Sequence, residues 1–364
     1  MKFYVDVNEM ILAVTSVVKA LPVRSSMPIL EGIHMEARGN SLHLLCSDLM
    51  LQKECTIDAN VVSEGCCVVK GKFFLELLRK LPQEEVEFDL EGLFLKVKCG
   101  RVRQRVQCIE FDEFPRMQVK GESFSLKMSN QDCHDMIERT VFAVSNDDSR
   151  PVLTGAYLEQ TEDTLSIVAT DSFQLAMTKL HGGHMVSQKG TIIQGKVLSE
   201  IGKMAEEGTD GVTLEITPTH ITMEINRSKL SARVLDGNYI DYSRIMPKEV
   251  GTRVLVETQA LYEIIDRAQL ISREGNNSIQ MHFANQQMVL SAESYLGRTE
   301  DELEVLIVGD DLDIAFNPKY WLNILKNISD EKVYLEFNTP ISPCTIRPVQ
   351  GDAFLYLIVP MRIF

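Results

Sequence analysis

Two spacings of apolar residues alternate along the chain, and their order repeats. Apolar residues three and four apart mark one buried face of a helix, and strict alternation marks a half-buried strand. Helical spacing occurs first at Met10, Ile11, Val14, Val17, Val18 and Leu21. It returns at Cys133, Met136, Ile137, Thr140 and Val141, and again at Ala260, Leu261, Ile264, Ile265 and Ala268. Each of these helices follows a strand-like segment, with Ser129 and Glu257–Thr258 as N-caps of the second and third. A further helix face is written by Phe73, Phe74, Leu77, Leu78 and Leu81. Its counterparts are Val197, Leu198, Ile201 and Met204, then Trp321, Leu322, Ile324, Leu325 and Ile328. Alternating runs such as Ser41–Leu44, Val86–Asp89 and Met288–Ser291 predict antiparallel strands between and after them. The order is strand, helix, about three strands, helix, about three strands, three times over.

Local landmarks keep the same register. Pro28-Ile29-Leu30-Glu31-Gly32 matches Pro151-Val152-Leu153-Thr154-Gly155 at an offset of 123 residues, and Ser47-Asp48 matches Thr170-Asp171 at that offset. Lys70-Gly71-Lys72-Phe73, Gln194-Gly195-Lys196-Val197 and Asn317-Pro318-Lys319-Tyr320 each open a second helix, spaced by 124 and 123 residues. An internal period of this length means one α+β unit used three times. The predicted domains are 1–121, 122–249 and 250–364, with Pro247–Gly251 as a linker.

Composition narrows the class. A chain of 364 residues with 45% hydrophobic and 24% charged positions fits a well-packed multidomain protein. No apolar run is long enough for a membrane span, and Met1–Asp6 has no signal-peptide pattern, so a cytoplasmic location is expected. The eight cysteines lack C-x-x-C pairs and sit in strand-like surroundings, where buried thiols are expected. Adjacent Cys66 and Cys67 would face opposite ways on a strand. The net charge of −15 argues against DNA binding through a broad basic surface; basic residues would have to act locally.

Catalytic motifs are missing. Gly190–Lys196 has the G-x-x-x-x-G-K spacing of a phosphate loop, but Val197 follows where a hydroxyl would hold magnesium, and Thr-Ile-Ile is strand-like. The repeat reads it as a strand-to-helix junction. His181 and His184 flank Gly-Gly without further ligands, so no metal or other cofactor is expected. His43 and His282 stand singly on strands and are expected to face solvent.

Several segments resemble one family over the whole chain. They are Met1-Lys2-Phe3, Arg24–Leu30, Thr170-Asp171 with Leu175-Ala176, Leu235-Asp236-Gly237 with Tyr239 and Asp241-Tyr242, Met246-Pro247-Lys248, and Val359-Pro360-Met361-Arg362-Ile363. Together they resemble the bacterial DNA polymerase III β subunit, the sliding-clamp family. The resemblance implies three tandem repeats of the DNA-clamp fold, with helices lining a ring interior and antiparallel sheets outside. It also implies a head-to-tail homodimer around double-stranded DNA, without catalytic activity of its own. Its partners would be the DNA polymerase catalytic subunit, a clamp loader and other proteins carrying clamp-binding motifs, with no membrane. The alternatives are an enzyme on the same scaffold, which a turnover assay would reveal, and a non-DNA interaction scaffold built from clamp-like repeats.

The resemblance also assigns residues. The peptide pocket would comprise Leu153, Thr170, Ser172, Phe173, Gln174, Leu175, Ile240, Arg244, Ile245, Asn317, Tyr320, Ile341, Leu357, Val359, Pro360, Met361 and Arg362. Of these, Leu153, Leu175 and Ile245 read equally well as core. DNA would meet Arg24, Lys72, Arg79 and Lys196; each also reads as an ordinary solvated position. The dimer interface would pair Arg101, Arg103, Arg105 and Val106 with Leu270, Ile271, Glu300, Glu302 and Glu304. Two departures stand out: Gln104 lies where the family can place an aromatic, and Ser172-Phe173-Gln174 replaces the usual glycine or serine, histidine, arginine.

Overall fold

The computed structural model describes residues 1–161, 163–182 and 190–362. Its element order carries the repeat. The first copy runs β1 (Lys2–Asp6), α1 (Val7–Val17), β2 (Gly32–Arg38), β3 (Ser41–Ser47), β4 (Leu51–Asp58), β5 (Asn60–Ser63), β6 (Gly65–Lys70), α2 (Gly71–Leu78), β7 (Glu85–Glu91), β8 (Phe94–Cys99) and β9 (Val102–Ile109). The second runs β10 (Phe124–Met128), α3 (Asn130–Val141), β11 (Gly155–Thr161), β12 (Thr164–Thr170), β13 (Gln174–His181), β14 (Thr191–Gln194), α4 (Gly195–Glu207), β15 (Val212–Ile216), β16 (His220–Ile225) and β17 (Ser228–Arg233). The third runs β18 (Thr252–Glu257), α5 (Thr258–Ser272), β19 (Ile279–Ala284), β20 (Gln287–Ser294), β21 (Gly297–Glu304), β22 (Leu306–Gly309), β23 (Leu312–Phe316), α6 (Pro318–Leu325), β24 (Lys332–Phe337), β25 (Cys344–Pro348) and β26 (Phe354–Ile358).

Side-chain caps start several helices where the sequence supplies short oxygen-bearing residues. Asp6 accepts from the amides of Asn8 and Glu9 at 2.8 and 3.1 Å. Ser129 accepts from Asp132 at 3.0 Å, and Asn317 from Lys319 at 3.0 Å just before Pro318. The recurring Pro-x-Leu-x-Gly has a packing cause. Its proline opens a 3-10 turn, and its glycine begins the next strand against a neighbour. A Cβ on Gly32 would lie 2.3 Å from Val68 Cγ1, and one on Gly155 would lie 2.7 Å from the Ile193 carbonyl.

The strands assemble into two compact units that follow the sheets rather than the repeats. Unit one is Met1–Lys127 with Glu207–Val234; unit two is Met128–Glu206 with Leu235–Phe364. Unit one holds a thirteen-stranded sheet in the order β10-β15-β16-β17-β4-β3-β2-β6-β9-β8-β7-β1-β5. Here β17 of the second copy pairs antiparallel with β4 of the first. Phe3, Phe74 and Phe88 are fully buried, with Phe3 stacked on Phe88 at 4.9 Å. Unit two holds a nine-stranded sheet, β14-β11-β12-β13-β26-β25-β24-β18-β22, and a four-stranded sheet, β21-β20-β19-β23. Trp321 is fully buried edge-on to Phe316 at 5.3 Å.

One buried titratable group makes unit one acid-sensitive. His34 on β2 lies between the rings of Phe111 and Phe114, with Nδ1 making no hydrogen bond among the described residues. Burial, reinforced by the charge of Arg116, pushes the imidazole down to about 4 from 6.5. The folded protein then binds fewer protons than the unfolded chain between those values. Full stability is present above pH 6.5 and is lost as pH falls toward 4, by about 3 kcal/mol at most. Urea unfolding near neutral pH and near the lower value is expected to show this loss, and His34→Phe is expected to reduce it.

The described structure departs from the sequence expectation in several places. Five, four and five strands separate the paired helices, rather than about three. The additions include β5 and β22, each four residues and too short to show a periodicity. Phe73 is 53% exposed because the eight-residue α2 buries only the narrow face of Phe74, Leu77 and Leu78. Glu257 precedes α5 but makes no side-chain cap bond. His43 is half-buried with Nε2 3.0 Å from Glu54, whereas His282 is exposed and 2.7 Å from Asp313. The cysteines are unbridged, and all but Cys66 are buried. Gly195 sits where β14 gives way to α4, so the phosphate-loop spacing marks a strand-to-helix junction. His184 lies outside the described residues; His181 Nε2 binds Asp352 at 2.7 Å.

Candidate peptide site and charged surfaces

A tight turn after β12 builds the centre of the candidate pocket in unit two. Asp171 Oδ1 accepts from the amides of Phe173 and Gln174, both at 2.9 Å. Thr170 Oγ1 accepts from the Ser172 amide at 3.1 Å and donates to the Gln174 carbonyl at 2.7 Å. Ser172 consequently adopts φ +80°, a conformation costly for a residue with a Cβ and typical of functional turns. The turn turns Phe173 outward, 56% exposed, where its ring stacks on Tyr320 at 5.8 Å and 13°. Burial and the nearby Asp171 charge raise the Tyr320 hydroxyl above its ordinary range, so the phenol stays neutral.

Beneath this turn lies an apolar floor. Leu175 pairs with Leu357 across β13 and β26, and both join a buried cluster with Val168, Met177 and Leu355. Tyr239, Tyr242 and Met246 of the segment before β18 pack against that cluster. Tyr239 also stacks on Tyr157 at 5.3 Å, and Tyr242 donates to Glu159. The chain end is tied down at two points: the Val359 amide donates to the Phe173 carbonyl at 2.9 Å, and Met361 to the Ala315 carbonyl at 2.7 Å.

The expected pocket residues therefore divide by accessibility. Phe173, Tyr320, Val359 and Met361 reach solvent around the stack, as do Ser172, Pro360 and the cap residue Asn317. Leu153, Thr170, Gln174, Leu175 and Leu357 are each less than a tenth exposed and hold the site up from below. Ile240 and Ile245 are partly exposed beside Arg244, which pairs with Asp241 at 2.7 Å. Ile341 is 79% exposed on the loop between β24 and β25. Among the described residues, no hydrogen bond or ring contact ties Ile341 or Arg362 to the stack. Asp171, Tyr239 and Tyr242 entered the sequence reading only as marks of the family resemblance, not as pocket residues, and Arg150 (Nη1 3.2 Å from Ser172 Oγ) was missed. The Asp two residues before an amide it caps was the available signal.

The charged surfaces occupy strand edges. On β9, Arg103 and Arg105 are exposed, with the Arg105 guanidinium 3.7 Å over Phe94. Arg101 stands in the turn before the strand rather than on it. Val106 is a correction: it faces Leu95 inside unit one and is 4% exposed, since a residue of odd offset from the arginines points to the opposite sheet face. Among the described residues, β9 pairs with β6 only through Cys108 and Ile109, and no strand covers the Val102–Gln107 edge on that side. In unit two, β21 ends its sheet with Glu300, Glu302 and Glu304 exposed. Asp301 alternates inward and binds Arg267 at 2.8 Å. On α5, Leu270 is 65% exposed and Ile271 half-buried.

The candidate DNA residues are all exposed. Lys72 and Arg79 lie two turns apart on and just after α2, which sets them on one face. Arg24 lies in the loop following α1, in unit one like them. Lys196 is in the first turn of α4, in unit two. Among the described residues, no group of three or more His, Cys, Asp or Glu could hold a metal ion. No described helix is long and apolar enough to cross a membrane.

Comparison with known proteins agrees along the full chain. The N-terminal, central and C-terminal domain families of the DNA polymerase III beta subunit match residues 1–118, 127–241 and 243–362. A beta sliding clamp of Staphylococcus epidermidis is 30% identical over 376 residues, covering both chains entirely. The DNA polymerase sliding clamp of Bacillus subtilis superimposes with a TM-score of 0.94 at 28% identity, and the beta subunit of Thermotoga maritima with 0.93 at 28%, each covering both chains in full. The chain, with its thrice-repeated β-α unit, belongs to the DNA polymerase III β-subunit family, the bacterial DNA sliding clamps.

Proposed function

We propose that two copies of this chain close head to tail into a ring around duplex DNA and tether the replicative polymerase there without catalysing a reaction themselves. The observation that carries the ring is the pair of open strand edges, basic on β9 and acidic on β21. Each chain thus carries both halves of a heterologous contact, and two such contacts close a dimer. On this reading the domains are 1–121, 122–249 and 250–364, each contributing two helices to the inner wall. Arg24, Lys72, Arg79 and Lys196 then offer exchangeable phosphate contacts, which permit sliding. Linkage to DNA is topological, so the −15 net charge is no obstacle and repels DNA from the outer surface. A clamp loader opens the ring. The Phe173–Tyr320 stack and its apolar surroundings take a short peptide from the polymerase or another partner. A cytoplasmic location goes with this role.

The test is retention on DNA of different topology. Protein loaded with its loader and ATP onto nicked circular plasmid is expected to stay bound through a salt wash, then to be released when a restriction enzyme linearises the circle. Equal salt-sensitive binding to circles and linear DNA would overturn the ring.

A further inference from the structure

A cavity of about 330 Å³ in unit two is lined by Lys248, Glu249, Arg253, Glu336, Thr345 and Arg347, among others. Glu336 organises it. Its carboxylate is 8% exposed and accepts from Arg253 Nε and Nη2 at 3.0 and 2.7 Å, from Arg347 Nε at 2.9 Å and from Thr345 Oγ1 at 3.2 Å. These bonds use one edge of each guanidinium. Arg253 Nη1 and the two terminal nitrogens of Arg347 make no hydrogen bond among the described residues, and both side chains remain half-exposed. Lys248 adds a third cation and Glu249 a second anion, leaving the wall with one net positive charge. Held guanidinium forks with unused N–H groups are suited to a planar oxyanion.

The location of this cavity suggests what fills it. Leu175 pairs with Leu357, Leu357 with Thr345, Thr345 with Glu336 and Glu336 with Arg253. These five residues form one row across the nine-stranded sheet, from the pocket floor to the cations. Three strand spacings, about 14 Å, separate Leu357 from Arg253. An extended peptide covers that distance in about four residues.

We propose that Lys248, Arg253 and Arg347 form an oxyanion site for a carboxylate in the segment flanking a docked partner peptide. An Asp or Glu about four residues beyond the apolar anchors meets the free guanidinium ends, with Glu336 as their positioning residue. The inference rests on the peptide-pocket reading.

Fluorescence anisotropy with three synthetic peptides separates the two. One peptide carries apolar anchors alone, one adds an acidic flank, and one adds the matching Asn/Gln flank. The acidic flank is expected to tighten binding about fivefold over the amide flank at low salt, with the gain fading as salt rises. Lys248→Ala and Arg347→Gln are expected to remove most of that gain while leaving the anchor-only peptide unchanged. Lys248 makes no bond to Glu336, so Lys248→Ala tests the site without disturbing the buried network. Anchor-only binding with no acidic gain, or an acidic gain that survives both variants, overturns this inference alone. Failure of all three peptides to bind overturns the pocket reading instead.

Discussion

Replacing Glu300, Glu302 and Glu304 together by lysine is expected to turn the proposed head-to-tail dimer into a monomer in light scattering. The three carboxylates are exposed on the open strand β21, so their reversal leaves the core of the sheet untouched and thermal unfolding of the monomer near its original value. Facing Arg101, Arg103 and Arg105 of a second copy, they would change from attraction to repulsion at both contacts. Like charges brought together across an interface cost several kcal/mol, and about 4 kcal/mol is roughly a thousandfold in the dissociation constant. Retention on circular DNA should fall with dimerisation. The opposite change, Arg101, Arg103 and Arg105 to glutamate, should also give a monomer. Mixing the two variants should restore a dimer, because both contacts of the mixed pair then join opposite charges. A triple lysine variant that still dimerises, or a mixture that stays monomeric, would place the interface elsewhere.

The second large effect is expected at the aromatic stack. Phe173→Ala with Tyr320→Ala should weaken binding of an apolar-anchored partner peptide about thirtyfold, near 2 kcal/mol, as removal of an exposed aromatic anchor pair does. Phe173 is largely solvent-exposed and Tyr320 only partly buried, so the fold and the dimer should persist, and DNA retention should be unaffected. Polymerase processivity should drop, because on the proposed function the ring persists while its tether is lost. Calorimetry with the peptide, beside the circular-DNA assay, checks both halves. Unchanged peptide affinity would move the site away from the stack. Restoring the family's usual side chains with Phe173→His and Gln174→Arg is expected to shift which peptides bind best.

Much of this architecture was legible beforehand because it is written in local rules. The six α-helices of the described residues follow from spacing and from caps such as Ser129 and Asn317. The repeated glycines at 32 and 155 report close approaches that the first two copies share. Site residues were harder. Val106 shares a strand with Arg105 but points into the sheet, and only the pairing with Leu95 decides which face is inner. Phe73 looks like core by spacing yet faces solvent, because α2 is too short to bury a wide stripe.

The sequence by itself determined the repeated helix–strand order, the absence of catalytic motifs and the opposite charges of two strand segments. Each depends on residue type and spacing within a few turns or strands of chain. Tertiary structure alone decided that β17 extends the sheet of the first copy, that the β9 edge stays open, and that Leu175 and Arg253 share one row across five strands. Those outcomes are set by pairing between segments far apart in sequence, where backbone hydrogen bonds carry no residue code and the register of each strand follows from how the faces are buried.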